Sequence, residues 1–275
     1  MWEYLIMKLI WVILLTVISA SVLAEDSFPG RKLYPSVPFI ELDDLYKQIN
    51  DVVIIDARSK YEYETLKIKS AVSIPLALST KRFQKRMMTI RQENPEKKLV
   101  FYCNGHKCMK SYKAAKRSIS YLGLNNIFAY DAGVFEWAKK YPAESLLLGE
   151  VLVSPDKLIS KSAFTEHLLP GEAFIKNANS EVTILDIRDR IERDGFYIFS
   201  GEENSISLDK REKSKLDKLI ASVKKSNKTL FVYDMVGKQV RWFQYYLESK
   251  GIKKYYFMKG GADAFFDIPL NKLID

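Results

Sequence analysis

Apolar residues fall into short runs separated by amphipathic stretches, and the arrangement occurs twice. Val52-Val53-Ile54-Ile55 ends in Asp56-Ala57-Arg58, with Glu62 beyond it. Starting 130 residues later, Val182-Thr183-Ile184-Leu185 ends in Asp186-Ile187-Arg188, with Glu192 beyond it. Apolar or β-branched residues closed by a polar one predict a buried strand running into a loop. A second matched pair is Leu99-Val100-Phe101-Tyr102, closed by Cys103, and Leu230-Phe231-Val232-Tyr233, closed by Asp234. Each half continues with a helical stretch, a turn glycine (Gly123 or Gly251) and a third strand, over 127–130 and 255–258. The third strands lead into Asp131-Ala132-Gly133 and Lys259-Gly260-Gly261, with Trp137 and Phe265 following. Strands alternating with helices predict an α/β protein of two tandem halves, each a mostly parallel sheet flanked by helices. Pro142 and Gly149 interrupt the pattern, which places the domains at 38–148 and 149–275 after a linker over 25–37.

The first residues carry a different pattern. An uncharged apolar run over 9–23 ends in Ser21-Val22-Leu23-Ala24 and meets Glu25-Asp26. That order predicts a secretory signal peptide over 1–24, cleaved after Ala24. The alternative is an uncleaved anchor, against which the run falls short of the ~20 residues that span a bilayer. A periplasmic or otherwise exported location follows, and with it a compartment where thiols tend to oxidise. Membrane association is expected only if the signal stays uncleaved.

Composition narrows the chemistry. With 275 residues, 47% hydrophobic and 28% charged, the chain is long enough for two cores and is not disordered, collagen-like or multi-spanning. Two cysteines are too few for a disulfide framework, and two histidines too few for a His-rich metal protein. The net charge of +9 is spread in pairs such as Lys81-Arg82, Lys139-Lys140 and Lys253-Lys254. There is no long basic block and no nucleic-acid motif, so nucleic acid is not an expected partner, while small anions are.

In open parallel sheets, ligands sit at the carboxyl ends of the strands. Cys103 and Asp234 hold that position in their respective halves. From Cys103 to Gly123 is 20 residues and from Asp234 to Gly251 is 17, so a longer loop is expected after Cys103. That loop holds both cysteines and His106.

The ordered set of motifs resembles the rhodanese family in its tandem form. The residues that carry it are Asp56-x-Arg58 with Glu62, Ile68-x-x-Ala71-Val72-x-Ile74-Pro75, and Phe101-Tyr102-Cys103 with Lys110-Ser111. Ala114-Ala115 and Ala132-Gly133 with Trp137 complete the first half, while Asp186-x-Arg188, Glu192, Tyr233 and Gly260-Gly261 carry it in the second. The resemblance implies a sulfurtransferase without a cofactor. A loop cysteine takes sulfane sulfur from thiosulfate or a persulfide, becomes a persulfide, and passes the sulfur to a thiol or cyanide. On this reading Cys103 is the catalytic residue. Asn104, Gly105, His106, Lys107, Lys110 and Ser111 bind the donor and stabilise the persulfide. Two departures bear on the donor. The family usually has an arginine a few residues after its cysteine, where this chain has Lys110, and its usual Gly-His-Ile is Leu66-Lys67-Ile68. The missing arginine also removes the bidentate phosphate grip that a rhodanese-like phosphatase needs.

Physical chemistry adds expectations of its own. Loop amides and a helix N-terminus near Ser111 are expected to lower the pKa of Cys103, with Lys107 and Lys110 adding to the field. Cys108 has three readings: it resolves a Cys103 persulfide, forms a disulfide with Cys103, or only packs. Cys103, His106 and Cys108 are too few ligands for a closed zinc site, so no metal is expected. Asp56 and Arg58 support the loops, since both recur as Asp186 and Arg188 in the half without cysteine. Asp234 has no sulfur to carry a transferred atom; its loop can bind an anion, cap the first site or support the fold. The rivals to sulfur transfer are a partner-binding module with a locked Cys103–Cys108 disulfide and a thiol–disulfide redox protein using that pair.

Overall fold

The computed structural model describes residues 28–269. The segment over 1–24, expected to be a signal peptide, lies outside them. The chain divides into two units between Pro155 and Asp156.

The first unit opens with helix α1 (Pro29–Leu33) and helix α2 (Leu42–Lys47), followed by strand β1 (Val52–Asp56). Ser59 then starts helix α3 (Lys60–Thr65) through a capping box. Its hydroxyl accepts the Glu62 amide, and the Glu62 carboxylate accepts the Ser59 amide. Strands β2 (Leu66–Ile68) and β3 (Val72–Ser73), helix α4 (Thr80–Glu93) and strand β4 (Lys98–Tyr102) follow. Helix α5 (Lys110–Leu122) leads to β5 (Ile127–Tyr130) and helix α6 (Gly133–Lys140). The main sheet has the order β3-β1-β4-β5 with all pairs parallel. Phe39 adds a parallel bridge to Ala129 at the far edge. Helix α5 turns Ser111, Tyr112, Ala114, Ala115 and Ser118 inward, a stripe of mostly small residues that lets it lie close to β4 and β5. Gly123 ends it in the left-handed conformation. Phe83, Phe101, Ile55 and Tyr112 lie in the core cluster on this side of the sheet.

The second unit follows the same plan. Helix α7 (Lys161–Thr165), strand β8 (Leu168–Leu169), helix α8 (Gly171–Lys176) and strand β9 (Val182–Asp186) come first. Helix α9 (Arg190–Arg193), strand β10 (Asn204–Ser205), helix α10 (Lys213–Ser226), strand β11 (Thr229–Tyr233), helix α11 (Val240–Ser249) and strand β12 (Tyr255–Met258) complete it. Its sheet runs β10-β9-β11-β12-β8, all parallel. The position of β8 beside β12 matches that of Phe39 beside β5. Two α/β units with parallel sheets are thus present, as the repeated apolar runs predict.

Three sequence expectations are corrected. Residues 149–155 belong to the first unit, because β6 (Ser145–Leu147) and β7 (Glu150–Val151) pair antiparallel with each other and β6 pairs with β2. The 25–37 segment is no simple linker over its described part. Arg31 grips Asp131 with two hydrogen bonds of 2.9 and 3.2 Å, and Val37 is in the core. The loop after β4 is Cys103–Met109 and that after β11 is Asp234–Gln239, so only one of the first half's three extra residues lies in the loop. The other two lie between the helix start and its glycine.

Candidate active site

Strands β1 and β4 are neighbours in register, with Asp56 opposite Tyr102, so the loops after Asp56 and after Tyr102 leave the sheet side by side. Asp56 and Arg58 are both fully buried, and the guanidinium holds the carboxylate at 2.6 Å. Two buried charges are stable only when paired and fully hydrogen-bonded. Arg58 meets that demand by also donating to the Leu66 carbonyl at 2.6 Å and to Asn104 Oδ1 at 3.2 Å. The Asn104 amide then donates to Glu62 Oε1 at 2.8 Å, and Lys110 reaches Glu62 Oε2 at 3.3 Å. A chain of polar contacts therefore runs from β1 through the cysteine loop to the start of α5. Burial alone would raise the Glu62 carboxyl, but Lys110, Arg58, Asn104 and the Ser59 amide together hold it below its ordinary 4.5.

The loop is braced from its other side. Val134 donates its amide to the Cys103 carbonyl at 3.0 Å, and the Cys108 amide donates to the Gly105 carbonyl at 2.8 Å. Gly133 has φ +77°, and a Cβ there would stand 2.3 Å from the Gly105 nitrogen, so only glycine fits. Gly261 plays the same part in the second unit, with φ +67° and 2.6 Å to the Asp234 carbonyl.

The two thiols differ in surroundings. Both are free. Cys103 is 0% exposed; its thiol donates to the Cys108 carbonyl at 2.9 Å and lies 3.5 Å from Ser111 Oγ. Burial pushes the Cys103 thiol up, and the neighbouring Cys108 adds to this. Cys108 is half-buried and shifted the other way, down to about 6. The neighbouring Cys103 is the main cause, and the amides of Asn104 and Lys110 with the Lys110 ammonium add to it against the opposing effect of burial. This corrects the sequence expectation of a lowered Cys103: the Ser111 hydroxyl and amide do act on Cys103 in the lowering direction, and burial outweighs them. The Cys103 sulfur is turned inward, onto the Cys108 carbonyl and Ser111 Oγ.

The remaining expected ligand-binding residues are placed as follows. Asn104 spends its side chain on Arg58 and Glu62, and Ser111 is buried beside the Cys103 sulfur. Gly105 contributes a carbonyl to the loop turn. The His106 ring packs on Phe28 with centroids 4.3 Å apart. Lys107 is exposed, and Lys110 is 44% exposed while it pairs with Glu62. Among the described residues no group of three or more His, Cys, Asp or Glu side chains is placed to hold a metal ion. Sequence reasoning missed the bridging roles of Asn104 and Glu62. The Ser59-x-x-Glu62 capping spacing was the available signal for the latter.

In the second unit Asp186 and Arg188 repeat the buried pair at 2.9 Å, and Arg188 donates to the Phe196 carbonyl at 2.7 Å. Met235 stands where Asn104 stands, and Arg188 Nη1 is buried without a hydrogen-bond partner. The Asp234 carboxylate accepts the amides of Gly237, Gln239 and Val240. It thereby fills from within the ring of donors that an external anion would need. Burial raises the Asp234 carboxyl, against the lowering effect of these amides.

Compared with known families, the chain matches the rhodanese-like domain twice, over residues 41–140 and 172–267. The tRNA uridine(34) hydroxylase of Salmonella paratyphi B is 32% identical over 97 residues, covering 35% of this chain and 26% of that protein. Its counterpart in Enterobacter sp. is 31% identical over 97 residues with the same coverage. The chain thus spans about a quarter of the length of these relatives. Among solved structures, the thiosulfate sulfurtransferase of Pseudomonas aeruginosa aligns with 84% of this chain and 42% of its own, at 16% identity and a TM-score of 0.36. The BH2092 protein of Bacillus halodurans aligns with 46% of this chain and 85% of its own, at 22% identity and a TM-score of 0.36.

Proposed function

The chain belongs to the rhodanese-like family, with two such domains in tandem, and from that premise we propose that its first domain is a sulfurtransferase. Sulfane sulfur passes from thiosulfate or a small persulfide onto the paired cysteines of the loop after β4, and from there to a thiol or cyanide. The observation that carries this reading is the cysteine loop itself. Two free cysteines share the loop at the end of a central strand, Cys103 with its thiol on the Cys108 carbonyl, and the Arg58–Asn104–Glu62–Lys110 network holds that loop. A thiolate is the nucleophile in such exchange, and Cys103, the residue that closes the central strand, is the proposed sulfur carrier, with Cys108 beside it in the loop. Lys107, exposed on the loop, attracts an anionic donor. The second domain has a carboxylate at the equivalent position and no sulfur to carry, so its role here is structural.

The stretch shared with the tRNA uridine(34) hydroxylases amounts to 26% of those proteins. The larger part of the relative lies outside the match, so sulfur transfer rather than uridine hydroxylation is the activity proposed for this chain. The apolar pattern over 1–24 supports export to the periplasm or beyond. The proposed reaction needs no cofactor and no nucleic acid; a protein thiol as acceptor would be its natural macromolecular partner.

The test is thiocyanate formation by the full chain from thiosulfate and cyanide, and sulfide formation from glutathione persulfide and a thiol. Activity in the wild type that vanishes in the Cys103→Ser, Cys108→Ser double variant supports the reading. No transfer from either donor sinks it.

A further inference from the structure

Helices α4 and α5 of the first unit frame an open groove of about 540 Å³, and no residue of the cysteine loop lines it. Its walls carry three aromatic rings, from Tyr34, Phe83 and Tyr121, and three cations, from Lys113, Lys116 and Arg117. No acidic residue lines it, and none occurs anywhere along α5. The three cations are three and four residues apart on α5, spacings at which like charges repel. Lys113 and Lys116 are exposed and pair with no carboxylate among the described residues. Arg117 is held in place: its Nη1 donates to the Leu76 and Leu78 carbonyls at 3.2 and 3.3 Å, and its guanidinium lies 4.3 Å from the Phe83 ring centroid. That fixes the guanidinium beside the start of α4, where Thr80 lines the same groove. The first turn of α4 has no acid, and its N-cap Ser79 makes no side-chain hydrogen bond to the helix amides. Acidic residues are what suit a helix start, yet this one carries Lys81 and Arg82. Lys116 Nζ stands 5.7 Å from the Tyr34 ring centroid on the other wall. Tyr121 is 81% exposed and makes no ring contact among the described residues.

We propose that this groove is a second ligand site of the first domain, for a small organic phosphate that carries a flat ring, as a nucleotide does. Three side-chain cations and the amide end of a 14-residue helix share one concavity with no counter-charge. A phosphate group satisfies both kinds of donor at once, the helix amides and the guanidinium fork. Because Arg117 is anchored before any ligand arrives, little ordering is left to oppose binding at that side chain. The ring of the ligand stacks on the uncovered Tyr121, which gives an exposed aromatic a partner. The volume falls in the range of ~300–1,000 Å³ typical of small-molecule sites. Charge confined to one concavity favours a compact ligand over an extended acidic chain. The site shares no residue with the 103–111 loop, so it stands apart from the sulfur-transfer reading.

The experiment is isothermal titration of the full chain with adenosine monophosphate, adenosine and inorganic phosphate at matched ionic strength. One adenosine monophosphate is expected per chain, with adenosine and inorganic phosphate each bound ~10-fold more weakly or worse. The double variant Lys113→Glu, Lys116→Glu is expected to weaken adenosine monophosphate ~10-fold or more, and Tyr121→Ala ~5-fold or more. Lys215→Glu with Lys225→Glu makes the same charge change at exposed positions of the second unit and is expected to stay within ~2-fold of the wild type. Equal weakening by both pairs overturns the site, because general attraction to a basic chain then accounts for the binding. Inorganic phosphate bound as tightly as adenosine monophosphate overturns the role of the ring. Binding of poly-glutamate or of phosphatidylglycerol vesicles without binding of adenosine monophosphate overturns the proposal in favour of an acidic protein or a lipid headgroup. No binding of any of these probes overturns it outright, while thiocyanate formation by the same sample leaves the sulfur-transfer reading intact. Should the variants fail to fold, lysine acetylation of the native wild type with peptide mapping still decides. Adenosine monophosphate is expected to protect Lys113 and Lys116, and their unchanged labelling overturns the proposal.

Discussion

Removing the Cys103 thiol should make Cys108 a weaker acid. The Cys108 thiol is shifted down to about 6 from an ordinary 9, and the leading cause is the neighbouring Cys103 side chain. At pH ~7 such a thiol is about nine-tenths thiolate, against about one-hundredth for an unperturbed one. A hydrogen bond to a charged group contributes ~1.5–3 kcal/mol, and each pKa unit corresponds to ~1.4 kcal/mol. Cys103→Ala should therefore move the midpoint upward by ~1–2 units, to about 7–8. Reactivity will not simply follow the thiolate fraction, because a less acidic thiol is a better nucleophile with a Brønsted coefficient of about 0.4–0.5. The plateau alkylation rate should rise ~3–10-fold, while the rate at pH ~6 falls ~2–6-fold, so the two profiles cross. Cys103→Ser, which keeps a hydroxyl donor in place, should stay close to the wild type. The assay is the pH dependence of iodoacetamide alkylation, followed by intact mass with the modified site mapped. A wild-type midpoint in the ordinary thiol range, or one that Cys103→Ala leaves unmoved, refutes the reasoning.

Three further perturbations probe the frame around the thiols. Glu62→Gln should cost ~1–3 kcal/mol in a urea melt at neutral pH, since it breaks the ion pair with Lys110 and leaves that contact uncompensated. Because the Glu62 carboxyl is held below its ordinary 4.5, its contribution is present above that pH and lost as pH falls through the folded value. The gap between wild type and variant should accordingly narrow in acid melts; an unchanged gap argues against the ion-pair account. Gly133→Ala forces a Cβ to within 2.3 Å of the Gly105 nitrogen at a positive φ. It should lower stability by ~1–3 kcal/mol and, by pushing on the loop, slow sulfur uptake measured by mass. Asp234→Ala strips the acceptor from the amides of Gly237, Gln239 and Val240. It should destabilise the second domain by ~1–3 kcal/mol per donor left unsatisfied, as read by thermal melting. Sulfur loading of the first-domain cysteines should be unchanged.

Most of the fold is legible in the sequence because its signals are local. The runs at 52–55, 99–102, 182–185 and 230–233 are long enough and apolar enough to be central strands of a covered parallel sheet, and each is one. Short strands are not legible in the same way. Leu66–Ile68, Ser145–Leu147 and Leu168–Leu169 are strands only because a partner passes beside them. Residues 25–37 read as a linker for the same reason, since Arg31 finds Asp131 a hundred residues away.

The site divides along the same line. From the sequence alone, a strand-end loop with two cysteines in one half, matched by a carboxylate at the same position of the repeat in the other, already implies that only the first domain can carry sulfur. That conclusion depends on residue identity and position in the repeat. Which sulfur is acidic depends on where the amides point and how much water reaches each atom. Acidity is set by burial and by the direction of nearby dipoles and charges, and these are fixed when Gly133, Val134, Asn104 and Glu62 close around the loop. Residue types and spacing therefore located the candidate chemistry, and the packed loop set the surroundings of each thiol, because neither burial nor dipole direction exists until distant segments meet.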